Sequence, residues 1–132
     1  MEWQSIMRAD YYDISGVMDA HTYKKLLKYN TIIVYGIGRV GMEVVKLLEE
    51  YEIRNYVTAV TKKDQSILGL NLHSEEIADL AENFKDALVL VAVGKNLQGI
   101  LMQTAVNLGF RDVVKATEFF SDEINVELVE DD

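Results

Sequence analysis

Cysteine and proline are both absent from this chain. Without cysteine there is no disulfide, no thiol nucleophile and no Cys-ligated zinc. Without proline or a Gly/Ser-rich tract, nothing in the composition marks a linker, and no internal repeat is present. Histidine is scarce: His21 and His73 lie in different segments, and neither has a partner at metal-ligand spacing. Cations are scarce too, with 13 Lys and Arg against 22 Asp and Glu, for a formal charge of −9. Such a surface repels phosphate backbones, which argues against nucleic acid as a partner. The longest apolar run, Ala87 to Val93, falls far short of the roughly 18 residues a membrane span needs. No basic-then-apolar N-terminal segment reads as a signal peptide, so a cytoplasmic location is expected. There is no G-x-S-x-G elbow, no Tyr followed four residues later by Lys, and no placeable pair of catalytic carboxylates. No catalytic or metal-binding residue is therefore assigned, and an autonomous enzyme is not expected.

The chain has 132 residues, 49% of them hydrophobic and 27% charged. That is the size and balance of a single globular domain. Residues 1–30 read as an N-terminal helical extension. Residues 1–14 have no clean periodicity, but Trp3, Ile6, Met7, Tyr11 and Tyr12 offer apolar surface to a partner or a second copy. A helix is expected over Asp19 to Tyr29, with Tyr23, Leu26 and Leu27 opposite Lys24, Lys25 and Lys28.

From residue 31 to 132 strands and helices alternate. Thr31 to Tyr35 is a β-branched run with no polar face, the pattern of a strand buried on both sides. Val40, Val44, Leu47, Leu48 and Tyr51 recur at helical spacing. Asn55 to Thr61 reads as a second strand, and Leu70 and Leu72 as a weak third. Ser74 is placed to cap a helix carrying Ile77, Leu80, Ala81 and Phe84, with Glu75 and Glu76 in its first turn. Ala87 to Val93 reads as the strand at the sheet centre. Asn96 is placed to cap a helix whose inner face is Leu97, Ile100, Leu101, Thr104, Ala105 and Leu108, ended by Gly109. Asp112 to Val114 is a fifth strand, Thr117 a cap for a last turn through Phe119 and Phe120, and Ile124, Val126 and Leu128 an edge strand. Parallel strands joined by right-handed helical crossovers give an α/β fold, a small doubly wound sheet of about five strands.

Gly36-Ile37-Gly38-Arg39-Val40-Gly41 is a complete G-x-G-x-x-G between a strand and a helix. In that context the first glycine permits a tight turn, the second lets backbone approach a phosphate, and the third lets helix and strand touch. The helix N-terminus offers N–H donors to an anion. The strands starting near 31 and 87 should be neighbours where strand order reverses, so Gly94, Lys95 and Asn96 should face the glycine turn. Thr61, Lys62 and Lys63 should form a third wall. The candidate binding residues are thus Gly36, Ile37, Gly38, Arg39, Val40, Gly41, Thr61, Lys62, Gly94 and Asn96, and the four cations Arg39, Lys62, Lys63 and Lys95 point to a small anionic ligand of nucleotide type. An NAD site usually carries an acid at the end of the second strand. Here Thr61-Lys62-Lys63 stand there and Asp64 comes late. That counts against NAD and leaves a 2′-phosphate, another phosphate group, or a fold whose nucleotide site has drifted.

The run from Thr31 to Lys115 resembles the Rossmann-like domains attached to bacterial sugar-modifying proteins. These are the N-terminal domains of sugar acyltransferases and similar modules beside polysaccharide glycosyltransferases and sugar methyltransferases. Carrying the resemblance are Ile32 to Gly41, Ile67-Leu68-Gly69-Leu70-Asn71-Leu72, Ala87 to Val93, and Leu108-Gly109-Phe110-Arg111-Asp112-Val113. The resemblance implies a domain that holds a nucleotide sugar, with the glycine turn and Gly94 to Asn96 near its phosphates and sugar, serving a larger carbohydrate-modifying enzyme. The acyltransferase's catalytic repeat domain has no counterpart in this chain, and Thr61-Lys62-Lys63 depart from the acids that branch commonly shows. Gly-Ile-Gly-Arg-Val-Gly also looks like the regulatory nucleotide-binding domains of potassium transporters. The expected function is nucleotide or nucleotide-sugar binding without catalysis. The alternatives are a ligand-free interaction or oligomerisation module, and an NAD(P)-dependent regulatory or reductase domain.

Overall fold

The computed structural model describes residues 20–63 and 74–120. The elements in chain order are α1 (Ala20–Leu27), β1 (Ile32–Tyr35), α2 (Arg39–Glu50), β2 (Tyr56–Val60), β3 (Glu75–Glu76), α3 (Ile77–Leu80), β4 (Leu88–Val91), α4 (Lys95–Asn107), β5 (Asp112–Lys115) and α5 (Ala116–Phe119). The five strands form one parallel sheet in the order β3-β2-β1-β4-β5. Helices cover both of its faces, so the fold is the small doubly wound, Rossmann-like α/β unit expected.

Alternation along β1 and β4 divides the core in two, because successive strand residues point to opposite faces. Ile32, Val34, Leu88 and Leu90 meet Leu26 of α1, Val40, Val44 and Leu48 of α2, and Phe120. Ile33, Tyr35, Val89 and Val91 meet Ile77 and Leu80 of α3, Ala105 of α4, and Phe110. Every residue of β1 and β4 is buried, which explains why neither segment tolerates a polar face. The middle strand is β1, however, with β4 beside it, rather than β4 at the centre. Leu26 is 1% exposed within this core, so α1 packs as part of the domain.

Two helices end on the same backbone device. After α4, Gly109 N–H donates to the Val106 carbonyl and Phe110 N–H to that of Ala105, with Gly109 at φ +97°. This is a Schellman motif, with glycine where the sequence placed it. After α2, Glu52 N–H donates to Glu49 and Ile53 N–H to Leu48, but the left-handed position (φ 58°) is held by Glu52. Without glycine that conformation costs on the order of 1 kcal/mol.

Three expected caps are not caps. Glu75 and Glu76 pair with Ala59 and Val60 as β3, so the helix starts only at Ile77. Ser74 is instead buried, with Oγ 2.8 Å from Thr58 Oγ1. Gly94 occupies the cap position of α4, so Asn96 falls inside its first turn. Thr117 lies within α5, behind a cap position held by Lys115. The expected inner face of α4 is corrected in part, since Leu101, Ala105 and Leu108 do pack against the core. Its buried residues are Gln98 and Ala105, while Leu97 and Ile100 are 46% and 63% exposed. The expected strands at Leu70–Leu72 and Ile124–Leu128, and the apolar residues Trp3 to Tyr12, lie outside the described residues.

Tyr56 ties β2 to α2 by donating a hydrogen bond to the Glu49 carboxylate at 2.5 Å. Burial, and then Glu49, push its phenol up from 10.0 to about 12. Burial and Asp112 also raise that of Tyr29. A raised phenol stabilises the fold while it stays protonated. That contribution is complete below pH 10 and is lost as pH climbs towards about 12. The urea midpoint is expected to fall across this window, and Tyr56→Phe is expected to flatten the fall without abolishing it. An unchanged slope in Tyr56→Phe would refute the assignment.

Candidate site at the glycine turn

The register brings three connections to one end of the sheet. Tyr35, the last residue of β1, stands opposite Ala59 of β2 and Val91 of β4. The glycine turn, the loop after β2 and the loop after β4 therefore leave side by side at the carboxyl ends of the strands. Between β1 and β4 the strand order reverses, the place where open α/β sheets take their ligands.

Gly36 makes this turn at φ +118°. A Cβ there would lie 2.6 Å from Val93 Cγ1 and 2.7 Å from the Ala92 carbonyl oxygen. A Cβ on Gly41 would lie 2.1 Å from the Gly36 carbonyl oxygen, so the first turn of α2 presses directly on the loop. These two glycines fill the tight-turn and close-packing roles of the motif. Gly38 stands at the cap of α2 with no side-chain hydrogen bond capping the helix. It is exposed, as is Arg39, whereas Val40 and Gly41 are buried and Ile37 is half-buried. The N–H groups of Arg39, Val40 and Gly41 have no carbonyl within the helix to bond.

One expected contact is corrected. The Gly36 N–H donates to the Ala59 carbonyl at 2.9 Å, continuing the β1–β2 ladder. It is not a donor for phosphate, and Gly36 shapes the turn only.

Thr61, Lys62 and Lys63 are exposed on the loop after β2, Lys95 and Asn96 are exposed in the first turn of α4, and Gly94 is buried. Thr61 Oγ1 lies 2.5 Å from the hydroxyl of the buried Tyr35. Lys63 N–H donates to Glu76 Oε2 at 3.0 Å. The sequence spacing puts Glu76 in the first turn of a helix, and its part in this rim goes unnoticed there. Its two-residue strand places an acid beside the lysine loop, so this rim is of mixed charge. A second overlooked residue is Gln98, 8% exposed, whose Nε2 donates to the Val93 carbonyl at 3.2 Å and to Thr117 Oγ1 at 3.0 Å.

Two concavities among the described residues lie away from the glycine turn. One, of about 410 Å³, opens at the amino ends of β1 and β4 among Tyr29, Asn30, Thr31, Phe84 and Asp86. The other, of about 520 Å³, lies over β2 between Glu49, Arg54, Tyr56 and Glu75. Among the described residues no cluster of His, Asp and Glu is arranged to hold a metal, and no helix is long and apolar enough to cross a membrane.

Comparison with protein-family models, with curated proteins and with solved structures found no match to this chain.

Proposed function

We propose that this chain binds a nucleotide or nucleotide sugar at the glycine turn, without catalysis of its own, in the service of a bacterial carbohydrate-modifying enzyme of the kind its sequence resembles. One observation carries the proposal: the Gly36–Gly41 turn and the start of α2 sit at the reversal of strand order between β1 and β4. In this reading the N–H groups of Arg39, Val40 and Gly41 receive a phosphate, helped by the positive end of the helix dipole. Exposed Gly38 gives the phosphate its approach, and Lys62, from the loop after β2, and Asn96, from the first turn of α4, complete the site. Thr61 brings no carboxylate to a ribose diol, which favours ligands held by their phosphates.

Calorimetry with UDP-sugars, NADP and NAD tests this. Binding of a UDP-sugar or NADP more tightly than NAD is expected, and Gly38→Val should abolish it while leaving the fold intact. Undiminished affinity in that variant would count against the site.

A second reading is favoured by a specific finding. Gly36 and Gly41 are both accounted for by packing alone, as in a ligand-free interaction module. That reading expects no heat with any of the three ligands.

A further inference from the structure

We infer that Gln98 is a positioning residue that locks the β4–α4 wall against the glycine turn. The inference rests on the reading of that turn as a binding site.

Only two residues of α4 are buried, and one of them is an amide. A buried amide is costly unless it is hydrogen-bonded, and an apolar side chain of similar size would fill the space without that demand. Gln98 meets the demand in a particular way. Its Nε2 spans two elements, donating to the Val93 carbonyl just beyond β4 and to Thr117 Oγ1 in α5. Val93 is the residue whose methyl closes on Gly36, together with the Ala92 carbonyl. Ala92 N–H in turn donates to the Tyr35 carbonyl at 2.8 Å, and Gly36 carries the first turn of α2 on its own carbonyl. A line of contact thus runs from Thr117 through Gln98, Val93 and Gly36 to Gly41. Parallel β4 ends at Val91 and its last bond to β1 comes from Ala92, so Val93 lies beyond the ladder. The amide supplies a fixed point there instead. A phosphate seated on α2 needs the turn beneath it held in one shape, because preorganised donors bind more tightly than mobile ones.

Amide hydrogen exchange in the ligand-free chain tests this. The Gly36 and Ala92 amides report on the turn, and the Ile53 amide, bonded to Leu48 beyond the far end of α2, is the control. In Gln98→Met, exchange at Gly36 and Ala92 is expected to rise about three- to tenfold over Ile53, the effect of losing the ordinary hydrogen bond that holds the Val93 carbonyl. Thr117→Val removes only the outer anchor and should loosen the same two amides by a smaller factor. It also serves as the test if Gln98→Met does not fold. Exchange at Gly36 and Ala92 that merely follows Ile53 in the folded variants would overturn the proposal, since a purely structural glutamine lowers all three together. Calorimetry with NADP and a UDP-sugar forms the second arm, where Gln98→Met should lose affinity by a similar factor. If the wild-type chain binds neither, the nucleotide reading fails, and the exchange data still decide the role of Gln98.

Discussion

Gly41→Ala is expected to destabilise the chain by about 3 kcal/mol, at the upper end of what overpacking costs. The new methyl would stand 2.1 Å from the Gly36 carbonyl oxygen. The obstacle is backbone, not the end of a flexible side chain, so α2 and the turn must part. Parting them also pulls Val40 and Val44 away from β1. For a domain with a total stability on the order of 5–15 kcal/mol, that is a large fraction. Gly99→Ala is the matched control. Nothing stands within 4 Å of its Cβ position in the middle of α4, and the same substitution should there stabilise by roughly 0.5–1 kcal/mol through helix propensity. Urea denaturation of both variants reads the contrast. Equal midpoints would show that α2 does not bear on the turn.

Phe120→Ala is expected to cost about 3–5 kcal/mol. The side chain is fully buried, meets Phe119 edge-on at 5.0 Å, and shares a core with Leu26, Leu48 and Leu88. Truncation leaves a cavity against α1, α2 and β4 that these elements cannot all close. Phe84, 39% exposed, is a fair comparison. Its truncation should cost less than about 1 kcal/mol, as surface changes usually do. If Phe120→Ala matched Phe84→Ala in equilibrium unfolding, α5 would not be sealing this face of the sheet.

The central architecture was legible because burial on both faces leaves an unmistakable record. Ile32 to Tyr35 and Leu88 to Val91 have no polar position to spare, and their adjacency followed from connection rules alone. Gly109 was legible for a similarly local reason, since a helix end of this kind needs a left-handed residue. The failed caps share one cause. Ser74, Asn96 and Thr117 are residue types that favour helix starts, but each is claimed by something distant or already settled. Thr58 takes Ser74, Gly94 pre-empts Asn96, and Gln98 reaches Thr117. In α4 the apolar residues run around more than one face, so spacing placed Ala105 inside but could not reveal that Gln98 points inward and Leu97 and Ile100 do not. At the candidate site, the tight turn and the close packing were readable from the glycines. That the Gly36 N–H is already engaged was not, because its acceptor, Ala59, belongs to a strand two elements away.

The all-parallel sheet also governs how the chain reaches this state. No two neighbouring strands are joined by a hairpin, so each pairing must close a large loop before it yields any contact energy. The heaviest closure joins Ile32 to Leu88, because α2, β2, β3 and α3 all lie between them. Topologies dominated by such distant pairings fold more slowly than those built from local contacts. The pairing of β1 with β4 thus waits until the chain is made as far as Val91 and the elements between them are gathered in.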